Sequence, residues 1–376
     1  MTIGYDSTNK LIQHRRKFQG NKTEAETALS LFVAEYTKGD YCKPQKLTVE
    51  GYLKNWLTDY AQPNVEATTF ARYQQLVSNN INPHIGSLLL QEIKAPHFQM
   101  FYNQLRGENG RKNKKGGLSP TTVLQIHRVL SCAFKDALAG ELIAKNPMVS
   151  VKPPKKESTE PQALTEEQVT YMLQKAFEEE SFQFYVELAI GFIAGLRRGE
   201  LLGLRWQDVD FENNNITVRQ SLYYIKNRGQ DFKKPKTKKS NDTIPMPEDM
   251  MDLLKQHKAR QNEQRLKLGT KWHDNDLVFA NWQGEPQSLD NLTHKFIDFM
   301  TRIGLPGFHL HNLRHSLASE LANKGEQAKD VSERLRHSNI STTMNIYTKL
   351  FDQAKRKTAD KLSGRLPSPH SKAGAV

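Results

Sequence analysis

The sequence has little cysteine, no long apolar run and a deficit of acidic residues. Its 376 residues include only two cysteines, Cys42 and Cys132, which argues against a disulfide framework and against a cysteine-based zinc site. No apolar stretch is long enough to span a bilayer, and the N-terminus is too polar for a signal peptide. We therefore expect a soluble, cytoplasmic protein with no membrane partner.

The charge balance is strongly basic. Lysine and arginine total 54 against 41 aspartate and glutamate residues, which gives a formal net charge of +13. A polyanion is the natural partner, with nucleic acid as the first candidate, although charge alone does not separate DNA from RNA or an acidic membrane. The length predicts two or three domains, each with its own core.

The first predicted domain is a small α/β unit at residues 1–42. It has an extended basic segment, which contains Arg15 and Arg16, and then an amphipathic helix with Thr23 and Glu26 at capping-box spacing. The basic segment is either a solvated edge or a DNA-binding surface, and the pattern leaves both open.

The second predicted domain, residues 47–151, is helical, and four helices are expected. Its last segment, 119–148, begins with Ser-Pro, carries a long apolar stripe and ends near Asn-Pro. A Gly-rich basic loop precedes this segment and is either solvated or in contact with phosphates. The candidate DNA-binding residues of the loop are Arg111, Lys112, Lys114 and Lys115.

A linker and a mixed α/β domain follow. Residues 152–162 are rich in proline and charge, which predicts an extended linker. A helix should begin after Thr165, which forms capping-box spacing with Gln168. The domain, residues 163–363, is predicted to contain helices, then three strands, then further helices. Residues 364–376 are predicted to be disordered.

The residues with the most distinctive chemistry lie near the C-terminus. His311 and Arg314 are three positions apart and so share one face of a predicted helix, while His337 and Tyr347 follow. A tyrosine that attacks a phosphodiester must lose a proton from a phenol with a pKa near ~10, and fixed donors must match the charge that develops on phosphorus. The pattern supplies such groups, although a lone His-x-x-Arg pair is more often a surface pair.

Two upstream stretches extend this pattern. They are "AGLRRGELLGLRWQDVDFENNNITV" and "PKTKKSNDTIPM", and they precede "HNLRH" and the final tyrosine in the chain. Together these boxes resemble the tyrosine recombinase (phage integrase) family in order and spacing over most of the second half of the chain. The resemblance implies a multidomain, mainly α protein with small β-sheets. Its parts would be an arm-binding-like α/β domain, a helical core-binding domain and a mixed α/β catalytic domain.

The resemblance also implies a role for each matching residue. Tyr347 would be the nucleophile and would form a 3′-phosphotyrosyl link, so that neither ATP nor another cofactor is needed. Arg197, in preference to its neighbour Arg198, and Arg314 would bind the non-bridging phosphate oxygens. Lys236 would be the general acid, with Lys238 and Lys239 as alternatives.

Four further residues receive supporting roles from the same resemblance. His311 would accept a proton or donate to the phosphate, and His337 would donate a hydrogen bond to the phosphate. Glu200 would orient Arg197 or cap its helix, and His315 would act either structurally or directly.

The chain departs from the family pattern at two places. Where relatives carry Gly-His, this chain has Arg336 before His337, which removes the conformational freedom of glycine but could add a phosphate contact. Asn241 and Asp242 stand where many relatives carry a basic residue.

The function implied is that of a site-specific recombinase from a phage or another integrative mobile element. Its partners would be double-stranded DNA, other copies in a homotetramer on DNA, and an accessory excision factor or host DNA-bending protein. The alternatives are a type IB topoisomerase, a catalytically silent DNA-binding regulator and a metal-dependent nuclease. No pair of carboxylates accompanies the histidines, which disfavours a metal site. A short amphipathic helix is also predicted at 348–363, docked on its own domain or on a neighbouring protomer.

Overall fold

The computed structural model divides the chain into two compact units, Met1–Ser158 and Thr159–Val376. The structure describes residues 2–5, 11–13, 17–37, 42, 44–108, 110, 116–155, 162–233, 243–337 and 339–348. Several predictions fall outside these ranges: the middle of the linker, the predicted helix at 348–363 beyond its first residue, the tail at 364–376, and the residues Arg15, Arg16, Arg111, Lys112, Lys114, Lys115 and Lys236.

The first unit begins with a two-stranded antiparallel sheet and one helix. Strands β1 (Thr2–Tyr5) and β2 (Leu11–Gln13) pair, and helix α1 (Lys22–Thr37) follows. The predicted cap at Thr23 and Glu26 was wrong by two residues. The backbone N–H of Glu24 donates to Asn21 Oδ1 at 2.9 Å, and the N–H of Asn21 donates to Glu24 Oε2 at 3.0 Å. Asparagine is as good an N-cap as threonine or better, and it comes earlier in the chain.

Four helices form the rest of the first unit, as predicted. Helix α2 runs from Val49–Trp56 through a π-helical turn at Leu57–Ala61 to Gln62–Asn64. Helix α3 likewise has an α-helical segment, Ala67–Leu76, then a π-helical turn, Val77–Ile81, and a last α-helical segment, Asn82–Ile85. A proline lies just after each π turn, and because it lacks an N–H the regular ladder is interrupted there. Helices α4 (Ala95–Arg106) and α5 (Pro120–Ala139) complete the set.

The start of helix α5 was predicted correctly, and its end was not. Ser119 caps its start by accepting from the N–H of Thr122 at 3.2 Å, as the Ser-Pro signal predicted. Its end is at Gly140 and not at the Asn-Pro pair, where Asn146 instead caps a short 3₁₀ turn, Pro147–Ser150. The apolar stripe of α5 is buried in the core of the unit, with Ile126, Leu130 and Phe134 fully inaccessible.

The second unit contains eight helices among its described residues. Helix α6 (Glu166–Glu179) carries the predicted capping box of Thr165 and Gln168. Helix α7 (Phe182–Ile193) is apolar on nearly all sides and packs against α6 and against three later helices, so it is the centre of the core. The remaining helices are α8 (Arg198–Leu202), α9 (Glu248–Leu268), α10 (Leu289–Arg302), α11 (Leu310–Asn323), α12 (Ala328–Arg334) and α13 (residues 341–348).

The strands of this unit form two antiparallel sheets, whereas the sequence predicted three strands together. The first sheet has the order β3 (Val209–Asp210), β4 (Asn215–Thr217) and β7 (Thr243–Pro245). The second is a hairpin of β5 (Ser221–Ile225) and β6 (Gly229–Lys233). The predicted strands correspond to β4, β5 and β7. Strand β3 was missed because it has only two residues, and β6 because Phe232 is its one apolar side chain. The described part of the chain holds no helix long and apolar enough to cross a membrane.

Candidate active site

The turn between α7 and α8 brings the first arginine box beside α11. Gly195 has a φ of +57°, and a Cβ at this position would lie 2.6 Å from the side chain of Leu335, so both conformation and space favour glycine. Its carbonyl oxygen accepts a hydrogen bond of 2.5 Å from Nη1 of Arg314 on α11. The buried helix α7 therefore fixes the position of this turn, and the turn holds Arg314.

The two adjacent arginines of the box point in different directions. Arg197, the N-cap residue of α8, donates from Nη1 to Glu200 Oε1 at 2.7 Å, and its side chain remains 44% exposed. Arg198 instead reaches α10, where it donates to the Leu289 carbonyl at 3.1 Å and to Thr293 Oγ1 at 2.5 Å. Arg198 thus joins two helices, and Arg197 is the arginine that lies beside the other predicted site residues.

Arg314 is a buried cation with an unused donor. Its residue surface is only 2% exposed, and Nη2 has no hydrogen-bond partner among the described residues. Burial, followed by the charges of Arg197 and Arg336, lowers the pKa of Arg314 to about 9, so the guanidinium is still protonated at neutral pH. A desolvated cation with a free N–H is a strong binding group for an anion.

Three histidines lie next to these arginines. The rings of His311 and His315 are one helical turn apart on α11 and meet edge to face, with centroids 4.7 Å apart. Burial and the charge of Arg314 lower the pKa of His337 to about 4, and burial with His311 and Arg314 does the same for His315. The pKa of His311 is also lowered, first by burial and then by Arg314 and Arg197. All three rings are therefore neutral at pH 7, and the arginines carry the positive charge of the cluster.

His337 is held in place by a residue that sequence reasoning missed. Its Nδ1 lies 2.7 Å from the hydroxyl oxygen of Thr343 on α13, and Thr343 is fully buried. The partner fixes the orientation of the ring and leaves Nε2 for another contact. The only sequence signal was that Thr343 precedes the tyrosine by four residues, one turn of the same helix.

Glu200 lies between two guanidinium groups. Besides Arg197, it accepts a 2.6 Å ion pair from Nη2 of Arg336, which is the residue at the glycine position of the family pattern. Burial raises the pKa of the Glu200 carboxyl, but Arg336, the Arg197 N–H and the Arg197 charge lower it more, so the net pKa is below its usual value. The carboxylate is therefore ionised inside the cluster.

Tyr347 does not share these contacts. Its hydroxyl group donates a 2.5 Å hydrogen bond to the carbonyl oxygen of Glu326, in the turn between α11 and α12. Burial and the nearby acids Glu326 and Asp330 raise the pKa of the phenol. The structure thus brings Arg197, Glu200, His311, Arg314, His315 and His337 together, while the hydroxyl of Tyr347 is held in an acidic setting that disfavours the phenolate.

The other predicted site residues cannot be placed in this cluster. Lys236 and its alternatives Lys238 and Lys239 lie outside the described residues, as do the six candidate DNA-binding cations of the first unit. Within the described ranges, no group of three His, Cys, Asp or Glu side chains is arranged to hold a metal ion.

Comparisons with known proteins identify the class. A sequence profile described as "Phage integrase family" matches residues 162–354, and one described as "Phage integrase, N-terminal SAM-like domain" matches residues 48–106. The chain is 30% identical to a "Tyrosine recombinase XerC-like" protein of Caldanaerobacter subterraneus subsp. tengcongensis over 96% of this chain and 94% of that protein. It is 29% identical to the ICEBs1 integrase of Bacillus subtilis over 66% of this chain and 67% of the relative.

Solved structures show the same fold. The Tn1549 transposon integrase in complex with circular intermediate DNA matches with a TM-score of 0.66 at 22% identity, covering 80% of this chain and 95% of that one. A lambda integrase tetramer bound to a Holliday junction matches with a TM-score of 0.54 at 17% identity, over 90% and 93% of the two chains. The profile match over residues 162–354 and the 30% identity over 96% of the chain show that the chain belongs to the phage integrase family and is a tyrosine recombinase, an enzyme that cleaves and rejoins DNA.

Proposed function

We propose that this protein is the integrase of a mobile element and that it cuts and rejoins specific DNA sites through a 3′-phosphotyrosyl intermediate at Tyr347. The observation that carries the proposal is the buried guanidinium of Arg314, whose Nη2 has no partner among the described residues, beside the half-exposed guanidinium of Arg197. Two fixed forks of this kind suit the two non-bridging oxygens of one phosphate.

The cleavage step follows from these groups. The oxygen of Tyr347 attacks phosphorus, the bond from phosphorus to the 5′-oxygen breaks, and the 3′-phosphate becomes attached to tyrosine. The charge that develops on the non-bridging oxygens is stabilised by the two arginines, with His337 as a neutral hydrogen-bond donor. The bond energy is retained in the ester, so religation by a 5′-hydroxyl needs no ATP. Lys236 supplies the proton for the leaving 5′-oxygen in this proposal.

The position of Tyr347 adds one requirement. Its hydroxyl must give up the hydrogen bond to the Glu326 carbonyl before its oxygen can attack a phosphate. The phenol has one proton, which cannot be donated to this carbonyl and transferred to a base at the same time. The acids Glu326 and Asp330 also oppose its ionisation. His311, held neutral beside Arg314, is then available to take the phenolic proton near the phosphate.

The wider assembly is part of the same proposal. Residues 47–151 would grip the duplex at the crossover site, and residues 1–42 would bind separate arm sites. The two solved structures named above are integrases bound to DNA, and one of them is a tetramer on a Holliday junction. We therefore propose double-stranded DNA inside the bacterial cell as the substrate and a homotetramer as the active form. An excision factor or a host DNA-bending protein would set the direction.

A covalent-trapping experiment tests the proposal. A nicked duplex from the ends of the host element lets the cut strand escape, so a protein–DNA adduct accumulates and survives denaturant. Tyr347→Phe is expected to bind the duplex normally and to give no adduct. Tyr171→Phe is the matched control, because Tyr171 is an exposed tyrosine on α6 of the same unit. An adduct formed by the Tyr347→Phe protein would show that the nucleophile is another residue.

A further inference from the structure

Arg336 lies between α12 and His337 in a backbone conformation that side chains rarely adopt. Its φ is +54°, in the left-handed region that favours glycine. A residue other than glycine persists in this region when its surroundings fix it there. The contacts of Arg336 therefore indicate what its side chain contributes.

Arg336 contacts both Glu200 and Arg197. The side chain is 6% exposed, and Nη2 makes the 2.6 Å ion pair with Glu200 Oε2. The main-chain oxygen of Arg336 accepts a 3.3 Å hydrogen bond from Nη2 of Arg197. The residue thus touches the carboxylate that holds Arg197 and also touches Arg197 itself. Because its guanidinium is buried against Glu200, its charge acts on that carboxylate.

The charges explain why a second cation is useful here. Glu200 orients Arg197 through a 2.7 Å ion pair, but one carboxylate cancels the charge of one guanidinium. A second guanidinium on the same carboxylate leaves the group of three with one net positive charge. Arg197 can then be oriented by Glu200 without losing its electrostatic effect on a phosphate.

We propose that Arg336 is a positioning residue that offsets the charge of Glu200, so that Arg197 stays oriented and keeps a net positive field at the scissile phosphate. The inference rests on the proposed role of Arg197 in DNA cleavage. It assigns a purpose to the arginine at the family's glycine position, and it places the effect of that arginine on the rate of cleavage and not on the affinity for DNA.

The test compares single-turnover cleavage of the nicked duplex by full-length variants at saturating protein. Arg336→Met is expected to lower the cleavage rate about 10- to 100-fold, with little change in the Kd for DNA. This is the range found when a partner that orients a metal-binding side chain is removed, and Arg336 acts on Arg197 in a comparable way. Arg336→Lys should keep most of the rate because it retains the charge. The decisive variant is Arg336→Met combined with Glu200→Gln. It should cleave faster than Arg336→Met alone, because removing the carboxylate charge also restores the field of Arg197.

Two further variants separate the proposal from a folding defect. Arg336→Gly suits the positive φ and should fold well, yet it should lose as much of the cleavage rate as Arg336→Met. Lys329→Met is the matched control, because Lys329 is an exposed cation on α12, 4.0 Å from Glu333 and not in contact with Glu200. Its cleavage rate should be that of the wild type.

Three results would overturn the inference. They are an unchanged cleavage rate in Arg336→Met, a rate in the double variant no higher than in Arg336→Met, and a wild-type rate in Arg336→Gly. The proposed function is judged separately, by whether the wild type forms the adduct and Tyr347→Phe does not. A wild-type adduct together with any of the three results would remove the role of Arg336 and leave the role of Tyr347 intact.

Discussion

The two compact units differ most in what they bury. Among the residues with described side chains, the core of the first unit is apolar, apart from the hydroxyl and indole groups of its aromatic residues. The buried charged and polar residues of the described chain all lie in the second unit: Glu187, Glu200, Asp208, His257, Arg314, Ser316, Ser332 and Thr343. Burying a charge costs free energy unless it is paired, and Glu187, Asp208 and His257 each have a partner within the fold. Glu200, Arg314 and Thr343 belong instead to the group of residues around the candidate active site. The comparison separates a unit with an apolar core from one that also buries polar groups, some of them at the candidate active site.

The largest effect on stability is expected in the apolar core. Phe134 is fully buried and meets Phe98 edge to face, with ring centroids 5.2 Å apart. Phe134→Ala should destabilise the first unit by about 3–5 kcal/mol through lost burial and a cavity. Denaturant unfolding of the full chain measures this, with the more exposed Leu138→Ala on the same helix as control. A small effect at Phe134 would mean that the core can collapse around the gap.

In the second unit, substitution of Arg314 should have a large effect on activity. Arg314→Ala is expected to lower the cleavage rate by about 10² to 10³, as for the loss of one preorganised donor. Arg197→Ala should lose a similar factor. The control is Arg198→Ala, which should cleave almost normally because Arg198 contacts α10. Equal losses at Arg197 and Arg198 would contradict the separation of their roles.

The buried carboxyl of Glu187 should make the stability of the second unit depend on pH. It is buried on α7 and accepts from the Gln287 and Gln183 side chains, and burial raises its pKa to about 7. A raised acid pKa favours the protonated native state. The contribution to stability is therefore complete below 4.5, the ordinary pKa of a glutamate carboxyl, and is lost as the pH rises to about 7.

The loss should reach about 3 kcal/mol for the second unit, since one pKa unit corresponds to about 1.4 kcal/mol. Glu187→Gln should remove this decline of the unfolding free energy with rising pH. Glu178→Gln, on the exposed surface of α6, should leave it unchanged. A slope that persists in Glu187→Gln would have to come from another group.

The smallest predicted effect concerns a helix cap. Ser119→Ala removes the acceptor for the N–H of Thr122 and should cost the first unit about 1 kcal/mol. Hydrogen exchange of the full chain should show faster exchange in the first turn of α5 and no change in α6, which is capped by Thr165. Faster exchange in α6 as well would show that the two units unfold together.

Local sequence signals predicted much of the fold. The capping box at Thr165, the Ser-Pro start at Ser119 and the four helices of residues 47–151 follow from short-range chemistry, which the folded protein retains. The failures occur where two local signals compete or where the signal is weak. Asn21 lies ahead of Thr23 as a cap, and Gly140 ends α5 before the Asn-Pro pair. Strand β3 has only two residues, and β6 has one apolar side chain.

The sequence by itself determined the types of chemical group and their order along the chain, because motifs of a few residues carry that information. The tertiary structure alone decided where those groups point. It directs Arg198 to α10, folds Arg336 onto Glu200 and places the hydroxyl of Tyr347 on the Glu326 carbonyl. The first two contacts join residues 91 and 136 positions apart, and all three depend on how helices pack. Side-chain direction in a packed core follows from the positions of the neighbouring elements, which no local pattern contains.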